Sequence, residues 1–209
     1  MNKGRFITIE GCEGVGKSTL IAGLKNYIEQ TGQTAIFTRE PGGTDVAEKI
    51  RAVILDANNK AMTNVAELLL YASARAQHTE EKILPAVTDG KLVICDRYSD
   101  STLAYQGYAR QIDKQLIRSL NEVAERGVTI DATIFLDLDP VKGFLRKGGA
   151  DKTDRLEQEN LDFHRRVYQG FEEIAQLEPN RVISINADQS AEKVLEDVIN
   201  ALKQRGILR

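Results

Sequence analysis

The sequence predicts an α/β fold in three layers, in which a five-stranded parallel sheet carries helices on both faces. Short apolar runs rich in β-branched residues alternate along the chain with longer segments of helical periodicity. The runs are almost continuously apolar, which is typical of strands buried on both faces, whereas a sheet with one wet face alternates. At 209 residues the chain can bury one sizeable core, so we expect a single domain, 1–209.

Each apolar run is a predicted strand, and two clear helices lie between strands. The predicted strands are Phe6–Ile9, Ala35–Phe37, Leu92–Cys95, Ala132–Leu138 and Val182–Ile185. The helix predicted at Ser18–Gln30 has a stripe formed by Leu20, Ile21, Leu24, Tyr27 and Ile28. The helix predicted at Asp113–Arg126 has a stripe formed by Leu116, Ile117, Leu120 and Val123. This alternation predicts right-handed crossovers and a ligand crevice at the carboxyl ends of the strands.

A polar segment interrupts the pattern near the last third of the chain. Residues 146–155 read RKGGADKTDR, which combines basic side chains with a glycine pair between two amphipathic stretches. We interpret this segment as a mobile lid over the crevice.

Composition excludes several classes of function. The 28 basic and 31 acidic residues leave a formal charge of −3, which gives no general attraction for nucleic acid or an anionic membrane. Cys12 and Cys95 have no CxxC spacing, and with His78 and His164 they form no recognisable zinc set. No long apolar segment resembles a signal peptide or a membrane helix, so we expect a reducing, cytoplasmic setting.

A phosphate-binding loop directly follows the first predicted strand. Residues 11–18 read GCEGVGKS and satisfy GxxxxGK[ST] immediately before a helix, as the mechanism of this P-loop requires. Glycines let backbone N–H groups converge on an anion, Lys17 can reach the outer phosphates, and the Ser18 hydroxyl can join Mg²⁺. The residues predicted to bind ATP are Gly11, Cys12, Glu13, Gly14, Val15, Gly16, Lys17, Ser18 and Thr19.

The P-loop is shared by GTPases, motor ATPases and kinases, so other residues must identify the reaction. A guanine-reading Asn-Lys-x-Asp sequence is missing, since Asn59-Lys60 is followed by Ala61-Met62. Asp96 and Arg97 follow the third strand, where a carboxylate could hold the hydration shell of Mg²⁺ and a guanidinium could grip phosphate. A strand-end salt bridge is the simpler alternative.

Three further side chains suggest a nucleotide acceptor. Arg39 precedes a Pro-Gly-Gly turn on the ligand side of the sheet, although such a turn is often only a tight connection. Tyr71 and Arg75 are four residues apart on one side of a helix, where they could stack on and hydrogen-bond a base. An aromatic residue at such a position is also common in a helix interface.

Five motifs occur in the order and spacing found in bacterial thymidylate kinases, and the chain resembles that family over essentially its whole length. They read FITIEGCEGVGKST, TREPGGT, YASARAQ, DRYSDSTLAYQG and TDRLEQE. The resemblance implies transfer of the γ-phosphoryl group from ATP to dTMP with Mg²⁺, and a homodimer built from helices. The attacking phosphate oxygen is already ionised near neutral pH, so neither a protein nucleophile nor a general base is required.

The resemblance also implies roles for residues around the acceptor phosphate and sugar. Arg39 and Arg97 would hold the dTMP phosphate, and Glu13 would contact the 3′-hydroxyl group. Tyr105 would crowd the 2′ position and so favour deoxyribose over ribose by steric rejection.

The base would be recognised by a second group of residues. Tyr71 would stack on thymine, and Arg75 would donate to a pyrimidine carbonyl. Thr102 and Gln106 would meet the polar edge of the base, and Ser101 belongs to the same stretch.

Thymidylate kinases place a cationic helper either in the P-loop or in the lid. This P-loop has no basic residue between its first and third glycines, so the lid is expected to supply the cation. The candidates are Arg146, Lys147, Lys152 and Arg155, with Gly148-Gly149-Ala150 standing where arginine-dense relatives carry more guanidinium. A solvated basic loop is the alternative. The resemblance places the backbone of residues 186–190 against adenine.

Other classes of protein stay open at this point. A nucleoside kinase also uses an Asp-Arg strand end, but its acceptor brings no phosphate for Arg39. A regulatory ATPase would hydrolyse ATP without an acceptor and leave Tyr71, Arg75 and Gln106 without a task. A degenerate P-loop interaction module is disfavoured by the intact Lys17-Ser18 pair.

Overall fold

Five parallel strands form one sheet in the computed structural model, which describes residues 4–146 and 154–209. The strands are β1 (Arg5–Glu10), β2 (Ala35–Arg39), β3 (Leu92–Asp96), β4 (Ala132–Asp137) and β5 (Val182–Asn186). Their order across the sheet is β2-β3-β1-β4-β5, and all neighbouring strands are parallel. The predicted three-layer α/β fold is thereby confirmed.

Helices connect and cover the strands. In chain order they are α1 (Lys17–Gln30), α2 (Asp45–Leu55), α3 (Asn64–His78), α4 (Leu84–Thr88), α5 (Ser99–Thr102), α6 (Lys114–Glu125), α7 (Pro140–Arg146), α8 (Leu161–Leu177) and α9 (Ala191–Gln204). A π-helical turn, Thr79–Ile83, joins α3 to α4, and a second, Leu103–Ala109, continues α5. Among these described helices, none combines the length and apolarity needed to cross a membrane.

Helix starts are determined locally, and α1 differs from several other helices. Thr63, Asp113, Asn160 and Ser190 each accept a backbone N–H bond at the start of α3, α6, α8 and α9. The residue before α1 is Gly16, in the left-handed region, with no side-chain cap. The first N–H groups of α1 are therefore available to an anion.

All five predicted strands and both predicted helices are present, with ends that differ from the prediction by at most two residues, and two details were predicted wrongly. Leu138 was predicted in the fourth strand, but β4 ends at Asp137 and Leu138 is buried beyond it. The stripe predicted on α6 divides between two surfaces, because Ile117 is fully buried while Leu116 and Val123 are 46% and 73% exposed.

Strand register gathers the candidate residues at one edge of the sheet. Asp96 of β3 is paired with Ile9 of β1 on one side and with Arg39 of β2 on the other. Because the strands are parallel, their carboxyl ends lie beside the loop that follows β1. The P-loop, Asp96 and Arg39 therefore border one crevice.

The short helix α5 is anchored from the opposite end of the sheet. Asp100 is almost fully buried and receives two parallel hydrogen bonds from Arg181, at 2.7 and 2.9 Å. Arg181 also donates to Thr133 of β4, which hydrogen-bonds Thr8 of β1. A bidentate pair inside a satisfied polar network fixes the start of α5, and with it the residues that α5 presents to the crevice.

Candidate active site

A cavity of about 390 Å³ opens at the carboxyl ends of β1, β2 and β3. It brings together most of the residues that the sequence predicted. Those lining it are Glu13, Gly14, Val15, Gly16, Lys17, Ser18, Thr19, Arg39, Tyr71, Arg75, Asp96, Arg97, Ser101, Thr102, Tyr105, Gln106 and Arg146. Gly11, Cys12 and Arg155 do not line the cavity.

The P-loop has the backbone geometry that a phosphate cradle needs. Gly11, Gly14 and Gly16 all have positive φ angles, of 137°, 73° and 100°. These conformations cost glycine little and let the loop turn its N–H groups inward. Lys17 Nζ donates to the carbonyls of Gly11 and Cys12 at 3.1 and 2.8 Å, so its charge is held above the loop. Burial, with repulsion from Arg97, lowers the pKa of Lys17.

Arg97 connects the P-loop to α5. Its Nη1 donates to Gly11 O at 2.9 Å and to Ser101 Oγ at 3.1 Å, and its Nη2 pairs with Glu13 Oε1 at 2.5 Å. The guanidinium carbon lies 5.2 Å from the centre of the Tyr105 ring, a cation–π distance. Arg97 also has a positive φ of 68°, an uncommon conformation for a residue with a side chain. Its position is therefore fixed by several contacts at once.

Glu10 supports this arrangement from beneath. Its carboxylate accepts a hydrogen bond from Tyr98 N at 2.7 Å and from Ser101 Oγ at 2.6 Å, and Ser101 also contacts Arg97. Burial raises the pKa of Glu10 to about 7, and the nearby charge of Asp100 adds to the shift. Sequence reasoning missed Glu10 as a site residue, although it directly precedes the P-loop.

Asp96 and Ser18 have the chemistry of a partial Mg²⁺ site. Asp96 Oδ1 is buried and has no hydrogen-bond partner among the described residues, which is costly for a carboxylate oxygen unless a ligand satisfies it. No cluster of three or more His, Cys, Asp or Glu side chains within 4–146 and 154–209 could hold a metal ion alone. Mg²⁺ commonly keeps several waters and takes one carboxylate plus substrate phosphates, so these two residues fit it.

Two arginines border the cavity near the ends of β2 and α2. Arg39 is 56% exposed at its side chain, and its Nη2 lies 3.1 Å from both carboxylate oxygens of Glu48. Arg51, which sequence reasoning missed, lines the same cavity and donates to Pro41 O at 2.8 Å. Its helical spacing of three residues from Glu48 was the available signal, since it places both residues on one side of α2.

Arg75 is a fully buried cation in the cavity wall. It is 1% exposed, with Nε donating to Glu40 Oε2 at 2.8 Å and Nη1 donating to Asn121 Oδ1 at 2.8 Å. Glu40 also pairs with His78 Nδ1 at 3.0 Å. Tyr71 is half-buried and packs against the main apolar core while lining the cavity. Thr102 is 1% exposed, and its buried hydroxyl has no partner in the described part of the chain.

The two described lid arginines point to different parts of the molecule. Arg146 ends α7, lines the cavity and donates to Ala187 O at 2.9 Å, in the segment after β5. Arg155 instead pairs with the buried carboxylate of Glu67 at 2.5 Å and donates to Ile54 O at 3.1 Å. The other predicted lid cations, Lys147 and Lys152, lie outside the described residues.

The P-loop touches α7 through two glycines. A Cβ atom built on Gly14 would lie 2.1 Å from the carbonyl oxygen of Gly143, and one on Gly143 would lie 2.3 Å from the carbonyl oxygen of Glu13. Both collisions are with backbone atoms, which cannot turn aside as a flexible side chain can. The two backbones can therefore approach this closely only because both residues are glycine.

Both thiols are expected to be inert in the folded protein. Cys12 is 2% exposed and Cys95 is fully buried; burial raises the pKa of Cys12 to about 12 and that of Cys95 well above its ordinary value. Since only the thiolate reacts quickly, Ellman's reagent at pH 8 should label neither thiol in the native protein and both in guanidinium chloride. Rapid labelling of the native protein would contradict this expectation.

The comparisons with known proteins agree along the chain. A family model described as thymidylate kinase matches residues 9–198. Proteins named thymidylate kinase from Clostridium novyi and Finegoldia magna are 45% and 48% identical to this chain, and each match covers 97% of the chain and 100% of the relative. The crystal structure of thymidylate kinase from Ehrlichia chaffeensis has a TM-score of 0.79 and 33% identity, and covers 96% of this chain and 99% of that one.

Proposed function

The chain belongs to the thymidylate kinase family, and from this premise we propose that its cavity transfers the γ-phosphoryl group of ATP to dTMP. The products are dTDP and ADP. The observation that carries the proposal is the position of Arg97, which contacts the P-loop, Glu13 and Ser101 at once. A cation between the ATP-binding loop and the dTMP-binding end of the cavity can bind phosphate groups of both nucleotides.

The mechanism follows from the charges that meet in the cavity. Two phosphate anions must come together in line, and Lys17 and Arg97 offset their repulsion and support the charge of the transition state. Glu13 and a bound phosphate would compete for the same guanidinium, because each can only accept hydrogen bonds from it. Arg97 would therefore have to give up part of its contact with Glu13 when it binds a phosphate. Glu13 would then be available for the 3′-hydroxyl group of dTMP.

We propose that Ser18 and Asp96 would hold Mg²⁺ together with the ATP phosphates. The buried, unpartnered Oδ1 of Asp96 supports a role on the metal side and not as a general base. Bound there, Mg²⁺ would neutralise charge on the donor phosphates.

The dTMP phosphate is assigned to the end of the cavity bordered by Arg39 and Arg97, with Arg51 as an additional cation. We assign the base to the end formed by Tyr71, Arg75, Thr102 and Gln106. Tyr105 lines the same cavity with its ring against Arg97, and we assign it to the sugar, where it would exclude a 2′-hydroxyl group.

Arg146 is our candidate for the lid cation. It lines the cavity and is anchored beside residues 186–190, the segment assigned to adenine, so it stands on the donor side. Arg155 is assigned a positioning role, because its guanidinium is paired with Glu67. We further propose that residues 1–209 act as one domain, with the lid at about 146–155.

The test is a substrate panel. Purified protein is incubated with ATP, Mg²⁺ and, separately, dTMP, dUMP, dCMP, dGMP, dAMP or thymidine, and ADP is followed together with the phosphorylated product. We expect dTDP from dTMP and no turnover without an acceptor. ADP release without a phosphorylated acceptor would indicate an ATPase, and preference for thymidine would indicate a nucleoside kinase.

We also propose that the enzyme is a homodimer that pairs through α2, α3 and α6. These helices pack side by side and expose large apolar side chains at 46–73% of their surface. The residues are Val46, Val53, Val65, Leu69, Leu116 and Val123. A patch of this kind on neighbouring helices is typical of a protein interface.

Val123→Glu is expected to convert the dimer to a monomer, because it would bury an unpaired charge in the interface while leaving the core of each subunit intact. Light scattering after gel filtration should give twice the chain mass of 23.2 kDa for the parent protein and 23.2 kDa for the variant. The control is Leu177→Glu, which changes another exposed apolar residue outside the patch, on α8. A monomeric parent protein would contradict the proposal.

We place the enzyme in the cytoplasm. Cys12 and Cys95 are both free and buried, which suits a reducing compartment.

A further inference from the structure

Glu67 is a buried carboxylate that has no role in the mechanism proposed above. It lies on α3, is 1% exposed, and accepts polar contacts from the side chains of Gln106, Arg110 and Arg155. Its Oε1 accepts from Gln106 Nε2 at 2.8 Å and Arg110 Nε at 3.2 Å. Its Oε2 accepts from Arg110 Nη2 at 3.1 Å and pairs with Arg155 Nη2 at 2.5 Å. Hydrogen bonds from Arg110 and Gln106 outweigh the cost of burial and lower its pKa.

The contact with Gln106 determines which way its amide points. An ionised carboxylate can only accept hydrogen bonds, so the amide nitrogen of Gln106 must face Glu67 and the amide oxygen must face away. Gln106 is itself 1% exposed and lines the cavity, and its Oε1 accepts no hydrogen bond from the described residues. An acceptor is therefore presented to whatever occupies this end of the cavity.

This polarity matters because pyrimidines differ at N3. Thymine and uracil carry an N–H donor there between two carbonyl acceptors, whereas cytosine carries a lone pair beside an amino group. Arg75, in the same cavity wall, can only donate. Gln106 Oε1 then supplies the acceptor that an N3–H group needs, and it would repel the lone pair of cytosine.

We propose that Glu67 is a specificity-determining positioning residue: by holding the amide nitrogen of Gln106, it makes the site accept pyrimidines with a donor at N3 and reject cytosine. The inference rests on the proposed function, because it takes the base of the acceptor nucleotide to lie against Gln106. Its other partners, Arg110 and Arg155, tie the same carboxylate to Glu159 and to Ile54 O.

Glu67→Gln should reverse the polarity of Gln106. The two guanidiniums at the Oε2 position, from Arg110 and Arg155, would keep the oxygen of the new amide. Its NH₂ group would then face the Gln106 nitrogen and also Arg110 Nε, whose bond to Oε1 is the longer one at 3.2 Å. The Gln106 amide must therefore rotate and present a donor to the base. Both arginines retain a second partner in this variant.

The experiment measures kcat/KM for dTMP and the inhibition constant of dCMP against dTMP, in the parent enzyme and in Glu67→Gln. A site that hydrogen-bonds its substrate rejects an analogue of the wrong polarity strongly, so we expect the preference for dTMP over dCMP to fall by about tenfold or more. If Glu67 served folding alone, its replacement would weaken the binding of dTMP and dCMP equally. An unchanged preference for dTMP over dCMP would therefore overturn the inference.

Two further variants separate polarity from packing. Glu67→Asp keeps an acceptor-only group and should retain the preference even where activity falls. Glu67→Met leaves the Gln106 amide free to rotate, so the preference should fall in this variant too, which makes the test independent of how well Glu67→Gln folds. Collapse of the preference in Glu67→Asp, or its retention in Glu67→Met, would overturn the inference.

A double variant shows whether Glu67 acts through Gln106. In a Gln106→Met background, Glu67→Gln should change the preference no further, because the amide it orients is gone. An additional loss would overturn the inference. Failure of the proposed function would look different, since the parent enzyme would then form no dTDP.

Discussion

Arg97→Met is expected to lower kcat for dTMP phosphorylation by about three orders of magnitude, the effect of losing an arginine that stabilises phosphoryl transfer. In the folded protein this guanidinium contacts the P-loop at Gly11 O and the acceptor side at Glu13 and Ser101. Its removal would take away charge that both nucleotides need in the transition state. Since the transition state loses more than the ground state, kcat should fall more than KM rises.

Steady-state kinetics with saturating ATP would measure this effect. The matched control is Arg165→Met, which removes an exposed arginine from α8 that pairs only within that helix among the described residues. It should leave kcat unchanged. Arg97→Lys should also lower kcat, because the ammonium group of lysine cannot make the contacts that the planar guanidinium makes in two directions. A kcat for Arg97→Met close to that of the parent enzyme would remove Arg97 from the mechanism.

The second large effect is expected at the lid. Arg146→Met should reduce kcat by about a hundredfold, because the lid cation that we assign to this residue would act on the transferring phosphoryl group mainly in the transition state. Arg155→Met should affect stability more than kcat, since this side chain pairs with Glu67 and does not line the cavity. Loss of one partner from a buried carboxylate should lower the melting temperature.

Kinetics and thermal unfolding of both variants distinguish the two roles. Arg146→Met should unfold near the temperature of the parent enzyme, since its side chain is 40% exposed. If instead Arg155→Met lost kcat at unchanged stability, the assignment of the lid cation would pass to Arg155.

Much of the fold could be predicted because its signals are local. Apolar runs predicted the five strands; β1 is one residue longer than predicted at each end, and β3 is one residue longer at its carboxyl end. The amphipathic pattern of α6 was harder, because Ile117 faces the core while Val123 faces outward. Periodicity records which residues are apolar, but it does not distinguish burial in a core from burial against a second subunit.

The parts of the site that could be predicted are those whose functional residues are consecutive in the sequence. The P-loop and the Asp96-Arg97 pair lie in short motifs that also form one cavity wall. Glu67 and Arg51 were missed because their partners are distant or come from other elements; Glu67 and Gln106, for example, are 39 positions apart. A lone carboxylate in a helix has no sequence signal for such a role, and only the fold reveals that it meets Gln106, Arg110 and Arg155.

The close contact between Gly14 and Gly143 means that position 14 of the P-loop cannot carry a cationic side chain while α7 keeps its present course. An arginine at position 14 would start from a Cβ atom 2.1 Å from the backbone of α7, so the loop and this helix cannot both keep their present paths. An arginine at position 14 and the present course of α7 are therefore mutually exclusive on steric grounds. Introducing one there would require a new course for α7, and with it a new starting point for the segment that follows this helix.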